Sequence, residues 1–189
     1  MIHLHDDFIP PTLLKNTEKY LVNFTPIETG EKQFWVMDPI PQFTNYVISR
    51  LTELEGKSIK SVFSFFRIAT DVLDIDWRIH SDSLINGELP QRAAILYLSD
   101  STFNTLHGTA FWKHCEHGDS LSWEEVNNDV YNKLIRKDSE NLDKWQLTSV
   151  IGWKKNRLIS YPSNYFHSKY PNKSWKEGRK IFVVFYKYN

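Results

Sequence analysis

The sequence predicts a mainly β domain of the α+β class, a jelly roll buttressed by helices at its N-terminal end. Three observations carry that expectation. Eight short segments, at 61–69, 76–82, 92–99, 105–113, 146–152, 157–161, 164–167 and 179–188, are aromatic or β-branched and separated by Gly, Pro, Asn and Asp. Only three segments keep helical spacing, and they do not alternate one for one with the strands, which disfavours a parallel doubly wound sheet. No Gly-rich phosphate loop opens a helix, and no repeat or low-complexity linker divides the chain. The 189 residues are therefore read as one domain, with 1–58 as helical support and 59–189 as jelly-roll core carrying a helical insert at about 122–140.

The first helix is expected over 12–22, entered through Pro10-Pro11, with Leu13, Leu14, Thr17, Tyr20 and Leu21 on one face. The second, over 41–55, keeps Phe43, Tyr46, Val47, Leu51 and Leu54 in register and stops at Gly56. The third starts at Ser122-Trp-Glu-Glu125, whose Ser and Glu can satisfy each other's free amides, with Trp123, Val126, Val130 and Leu134 as its apolar stripe.

Composition removes several function classes. The longest apolar run, Ile181-Phe-Val-Val-Phe-Tyr186, is far short of a membrane-spanning helix. The start, Met1-Ile-His-Leu-His-Asp-Asp-Phe8, lacks the basic and apolar regions of a secretory signal, and a single cysteine makes no internal disulfide, so a cytoplasmic protein is expected. The 23 Lys+Arg balance 23 Asp+Glu, which gives no global attraction to nucleic acid or anionic membrane. The balance conceals a segregation: residues 144–189 hold ten Lys/Arg against one acid, Glu177, and so carry +9, while the rest carries −9. A solvated basic surface, a partner for the acidic 116–143 stretch and a site for a small dianion all remain open for that segment.

Histidine followed two residues later by a carboxylate is a plausible metal pair, because both side chains then leave a strand on one face. Four of the seven histidines satisfy it, so context must choose. His5 lies ahead of any expected strand, in the mobile start of the chain. His114 and His117 fall in a polar run read as a loop, and a zinc site from His107, His114, Cys115 and His117 matches no common spacing. His80 instead ends an extended run, Ile75-Asp-Trp-Arg-Ile-His80, in which Trp77 and Ile79 alternate with polar residues, and Asp82 follows on the same side. His167, after Tyr161-Pro-Ser-Asn-Tyr-Phe166, is the candidate third ligand. Two His and one carboxylate suit Fe(II) with open positions on the opposite side.

With His80-Ser81-Asp82, His167 and Arg179 in that order, the sequence resembles the Fe(II)- and 2-oxoglutarate-dependent oxygenases, particularly the prolyl 4-hydroxylase-like branch. The likeness runs over most of the chain. It includes the opening Asp6-Asp-Phe-Ile-Pro10, Phe65-Phe66 ahead of Trp77-Arg-Ile-His-Ser-Asp82, Arg92-Ala-Ala-Ile-Leu-Tyr-Leu-Ser99, Gly108-Thr-Ala-Phe-Trp112 and Gly178-Arg-Lys-Ile-Phe-Val-Val-Phe-Tyr186. It implies a double-stranded β-helix and a metal held by His80, Asp82 and His167, with Fe(II), 2-oxoglutarate and O₂ as the reacting set and ascorbate as a candidate stimulant. It also implies a cation for the far carboxylate of 2-oxoglutarate. Arg179 is favoured because a planar guanidinium holds a carboxylate through two parallel bonds, and Lys180 is the rival that the Gly-x-Lys pattern of this branch favours. Tyr97 matches a tyrosine that donates to the same carboxylate, with core packing as its alternative, and Arg92 is left undecided between pocket and solvent.

The resemblance implies hydroxylation of a C–H bond, with release of succinate and CO₂, in a protein or peptide side chain, proline included, or in a small molecule. A carboxylate at position 82, where halogenating relatives have a small residue, points the same way. The nucleic-acid demethylase branch has a second arginine six residues beyond the cosubstrate arginine, and here that position is Phe185. That branch and a non-catalytic jelly-roll binding module with a vestigial metal site are the alternatives. The 112–119 segment and the 38–60 region are expected to line the entrance.

Overall fold

The last strand organises the chain because both of its faces are apolar. The computed structural model describes residues 1–29, 32–70, 72–73, 78–82, 84–100, 107–125, 129–171, 175 and 178–189. Its elements, in chain order, are β1 (His3–His5), α1 (Pro11–Tyr20), β2 (Thr25–Thr29), β3 (Lys32–Met37), α2 (Pro41–Glu55), β4 (Ile59–Ala69), β5 (Arg92–Tyr97), β6 (Gly108–His114), α3 (Asp129–Lys133), β7 (Trp145–Gly152), β8 (Leu158–Pro162), β9 (His167–Tyr170) and β10 (Arg179–Tyr188). A π-helical turn, Leu134–Asp138, continues α3.

Two antiparallel sheets result. The main sheet has the order β1-β8-β5-β10-β4-β3-β2 and the smaller one β7-β6-β9. Along β10 the residues Phe182, Val184 and Tyr186 pack under the helices with Phe43, Val47 and Leu51 of α2. The intervening Ile181, Val183 and Phe185 pack toward the small sheet with Phe111, Ile95 and Tyr161. A continuous apolar run therefore becomes a strand buried on both faces, between β5 and β4. The outer face of the small sheet carries a third cluster, in which Trp112, Trp145 and Phe166 meet Ile79, Leu121 and Leu134. The expected jelly-roll sandwich with buttressing helices is what the chain forms. Among the described residues, no helix is long and apolar enough to cross a membrane.

The helices follow their end signals. Pro41 stands at the first turn of α2, where its missing N–H costs nothing, and Gly56 ends it in the left-handed conformation at φ 64°. Gly108 opens β6 so close to β7 that a Cβ there would lie 1.9 Å from the carbonyl oxygen of Ile151. Only glycine permits that approach.

Several local expectations are corrected. His5 is not in a mobile tail: β1 pairs with β8 through His3↔Ser160 and His5↔Leu158. The β2–β3 hairpin was not foreseen within the support region, because Thr25–Thr29 and Lys32–Met37, which end the sheet beyond β4, have a weak alternation that carries little signal. The third helix is shorter than its pattern: Ser122 N–H donates to Glu125 Oε2 at 3.1 Å, yet the helix proper is Asp129–Lys133 and Trp123 is 40% exposed. Val126 lies outside the described residues, as do residues 76 and 77 of the strand expected over 76–82. The rest of that segment makes an isolated bridge at His80. The strand expected at 164–167 instead runs from His167 to Tyr170.

A buried carboxylate joins the helical layer to the main sheet. Glu55, the last residue of α2, accepts hydrogen bonds from Tyr186 Oη at 2.6 Å, Tyr188 Oη at 2.5 Å and Ser160 Oγ at 3.2 Å. Arg92 Nε is 3.6 Å away, so Arg92 faces neither pocket nor solvent but the underside of α2. Burial pushes the Glu55 carboxyl up, but the tyrosine hydroxyls, the Arg92 charge and Ser160 together hold it below its ordinary 4.5. The stabilisation this supplies is full above about pH 4.5 and is lost as pH falls through the depressed folded value. Glu55→Gln should cost about 3 kcal/mol at neutral pH, by leaving Arg92 without its counter-charge. In urea unfolding, wild-type stability should fall more steeply than that of Glu55→Gln on acidification; equal slopes would show that Glu55 is not ionised in the fold.

Candidate active site

Reciprocal hydrogen bonding joins two histidines that are far apart in sequence. His80 N–H donates to His167 C=O at 3.0 Å, and His167 N–H returns the bond to His80 C=O at 2.8 Å. Residues paired in this way project side chains to the same face, and the two rings lie 4.4 Å apart. Asp82 follows two residues after His80, its N–H anchored on Ser163 C=O at 2.9 Å. Asp82 Oδ1 is 3.9 Å from His167 Nε2, and one ligand atom from each of His80, Asp82 and His167 falls within 4.8 Å of the others.

Both rings are oriented by the backbone two residues upstream. His80 Nδ1 meets Arg78 C=O and His167 Nδ1 meets Tyr165 C=O, each at 2.9 Å. A carbonyl can only accept, so each Nδ1 carries a proton, and Nε2 is the ring atom left to face a metal, as in a metal-binding histidine. Asp82 Oδ2 is buried and has no hydrogen-bond partner among the described residues. Burial raises the Asp82 carboxyl to about 8, against the opposing charge of Arg67. It also depresses His167 well below the usual imidazole value, reinforced by His80. Two imidazoles that turn Nε2 toward one another and a buried carboxyl between them are a donor set that a divalent cation would satisfy.

Arg179 opens β10 on the inner face, 4% exposed, with Nη2 3.4 Å from Thr109 Oγ1. The rings of Tyr97, Trp153 and Trp175 surround its guanidinium at 5.4 to 5.9 Å. Tyr97 is fully buried, bonded to Thr109 Oγ1 at 2.8 Å and stacked on Trp153 at 4.1 Å between centroids. Burial raises its phenol above the ordinary value, so it remains a neutral hydrogen-bonding group. Lys180 points to the other side of the strand, where Nζ reaches Leu21 C=O at 3.3 Å.

The triad and Arg179 line one cavity of about 460 Å³, walled between them by Thr109, Tyr161, Ile95, Ile181 and Val183. The cavity continues outward past Phe63, Phe65 and Arg67 of β4 to Ile27, Phe34 and Val36 of the hairpin. The entrance is therefore bounded by the β2–β3 hairpin and by Leu84–Asn86. Of the 38–60 region only Asp38 contributes, and none of 112–119 does, because that segment belongs to the outer face of the small sheet.

The histidines outside the triad have structural surroundings. His114 is fully buried at the end of β6, not solvated in a loop, with Nε2 3.4 Å from Asp138 Oδ2. His107 packs on Trp175 at the opposite end of the strand, roughly 20 Å away at the usual rise per residue. Those two ends cannot share one zinc ion, and Cys115 is exposed. Sequence reasoning did not single out Thr109, Trp153, Trp175 or Arg67. Only Thr109 carried a signal, two residues before the inward-facing Phe111.

Neither a family model nor a curated protein matches the sequence. Solved structures do match its shape. HygX from Streptomyces hygroscopicus, solved with nickel, 2-oxoglutarate and hygromycin B, superposes with a TM-score of 0.62 at 9% identity, over 98% of this chain and 82% of that one. The chain has the fold of the 2-oxoglutarate- and Fe(II)-dependent oxygenases. A non-haem, α-ketoglutarate-dependent carbocyclase of nogalamycin biosynthesis, SnoK, gives 0.62 at 13% identity over 98% and 78% of the two chains. A Pseudomonas putida prolyl-4-hydroxylase gives 0.54 at 10% identity over 100% and 92%.

Thr109 Oγ1 stands between Tyr97 and Arg179, and its removal should be felt as an unsatisfied buried hydroxyl. Thr109→Val, which keeps the shape, should lower stability by about 1–3 kcal/mol. A urea midpoint unchanged from wild type would show that Tyr97 has another partner.

Proposed function

We propose that the chain is an Fe(II)- and 2-oxoglutarate-dependent dioxygenase that hydroxylates a C–H bond of a peptide side chain or small molecule, releasing succinate and CO₂. The observation that carries this reading is the His80, Asp82 and His167 triad facing Arg179 across one cavity. The shared fold with structures solved with 2-oxoglutarate supports it.

In this reading the Nε2 atoms of His80 and His167 and the Asp82 carboxylate hold the metal. With 2-oxoglutarate, the iron supplies oxygen activation and the oxidising power for C–H cleavage. The protein supplies orientation. The Nδ1–H bonds to Arg78 and Tyr165 keep the rings from turning. Arg179 binds the far carboxylate of 2-oxoglutarate, and its aromatic surroundings keep water off that ion pair, which strengthens it. Tyr97 and Thr109 supply neutral hydroxyls beside it. Ile95, Ile181 and Val183 exclude water between the two ends. A reducing cytoplasm, which keeps Fe(II) available and Cys115 a free thiol, is the compartment that suits this chemistry.

Anaerobic addition of Fe(II) and 2-oxoglutarate should produce a visible metal-to-ligand charge-transfer band that His80→Ala and Asp82→Ala lose. Wild-type protein with neither the band nor succinate formation across a broad substrate panel would sink the enzyme reading and leave a binding module. In equilibrium titration, Arg179→Met should weaken 2-oxoglutarate binding by about 100-fold, the worth of a desolvated charge-assisted pair. Lys180→Met should change it by less than about threefold; the reverse ranking would assign the cation to Lys180.

A further inference from the structure

The pairing register of the main sheet sorts the floor of the cavity into rows. Arg67, Ile181 and Tyr97 stand opposite one another on β4, β10 and β5, with Arg179 two residues before Ile181. The next row is Phe65, Val183 and Ile95, and the one after it Phe63, Phe185, Ala93 and, on β8, Tyr161. Residues paired across strands share a face. The floor is therefore polar beside Arg179 and apolar at its other end, where these two rows hold one polar side chain, Tyr161.

Tyr161 lines the cavity while only 1% exposed. Its ring lies 4.8 Å from that of His167 and meets Phe111 edge-on at 5.1 Å, which places it beside the triad. Among the described residues no group hydrogen-bonds its hydroxyl. The hydroxyls of Tyr97 and Tyr186, also buried on this sheet, are bonded to Thr109 and Glu55. A buried hydroxyl without a partner is costly, so its place on the wall points to an occupant that supplies one.

The far side of the same row is aromatic. The rings of Phe63 and Phe65 lie 5.4 Å apart, and those of Phe65 and Phe185 6.4 Å apart, each pair inclined by 35°. Together they form a shelf that runs out to the mouth, where Phe63, Ile27 and Leu84 are 38%, 44% and 50% exposed. Open apolar surface continuous with a site marks what the ligand covers, and rings favour rings at these separations. A cavity of about 460 Å³ is of the size that encloses a small molecule.

We propose that the substrate is a small ring-bearing ketone or alcohol, its oxygen hydrogen-bonded to Tyr161 Oη and its ring lying on the Phe63, Phe65 and Phe185 shelf. This identification rests on the oxygenase reading above, since it names the substrate of the same site. Tyr161 is then a specificity residue: it fixes which end of the molecule lies inward, and so which carbon faces the triad.

The test uses the full-length chain without metal, so its outcome is independent of whether iron and 2-oxoglutarate bind. The probes are 1-tetralone and tetralin, one ring system with and without a carbonyl, titrated by nuclear magnetic resonance. Tyr161→Phe, which keeps the ring, should weaken 1-tetralone about fivefold, the worth of one neutral hydrogen bond, and leave the Kd of tetralin unchanged. A purely structural role for Tyr161 would move both probes together. Phe63→Ala, at a partly exposed position, should weaken both about threefold, the worth of an aromatic pair. No binding of either probe, an equal change for both in Tyr161→Phe, or unchanged affinities in Phe63→Ala would each overturn the proposal. So would tighter binding of acetyl-proline methylamide than of 1-tetralone. Loss of the charge-transfer band with these results intact would defeat the oxygenase reading instead.

Discussion

The molecule depends on one strand being buried on both faces. Alternate side chains of β10 enter two separate cores, Phe182, Val184 and Tyr186 under the helices and Ile181, Val183 and Phe185 between the sheets. A shift of one residue in its register against β4 and β5 would exchange the two sets. It would also exchange Arg179 with Lys180, moving a guanidinium from the cavity to the helical side. The packing of hydrophobic residues thus decides which cation faces the cavity, through an energy far larger than any contact the cation itself makes.

The candidate metal-binding residues depend on a smaller version of the same rule. His80 and His167 meet because a short irregular segment adds to the edge of the small sheet through one reciprocal pair of backbone bonds. Among the described residues, little else defines that segment as a strand. The donor set consists of two rings turned by neighbouring carbonyls and a carboxylate whose burial is uncompensated within the described residues. Such a cluster is costly to the fold by itself, and functional sites characteristically carry that kind of cost. Glu55 contrasts with Asp82. Both are buried carboxylates, but Glu55 is met by two tyrosines, a serine and Arg92, and its role is to join α2 to β10, β8 and β5.

Much of the architecture was legible from periodicity. The bounds of α2 and β10 match their patterns to the residue, because Pro41 and Gly56 mark one and Gly178 with a β-branched and aromatic run marks the other. The elements that escaped are those whose stability is borrowed. The β2–β3 hairpin is an edge held by β4, β1 is three residues held by β8, and α3 with its π turn is held by the cluster around Trp145. Their sequences need not alternate strongly when a neighbour supplies the pairing.

The chain's own pattern of residues determined the class of fold, the two-residue spacing that sets His80 and Asp82 on one side, and the presence of Arg179 and Tyr97 in strand segments. Tertiary structure decided the rest. It set His167 opposite His80, turned Arg179 inward and Lys180 outward, sent Arg92 to Glu55, and opened the entrance beside the hairpin rather than beside 112–119. The physical reason is range. Spacing along a strand fixes which side chains share a face, but which strand lies across from it, and so what the face encloses, follows only from the packing of residues distant in sequence.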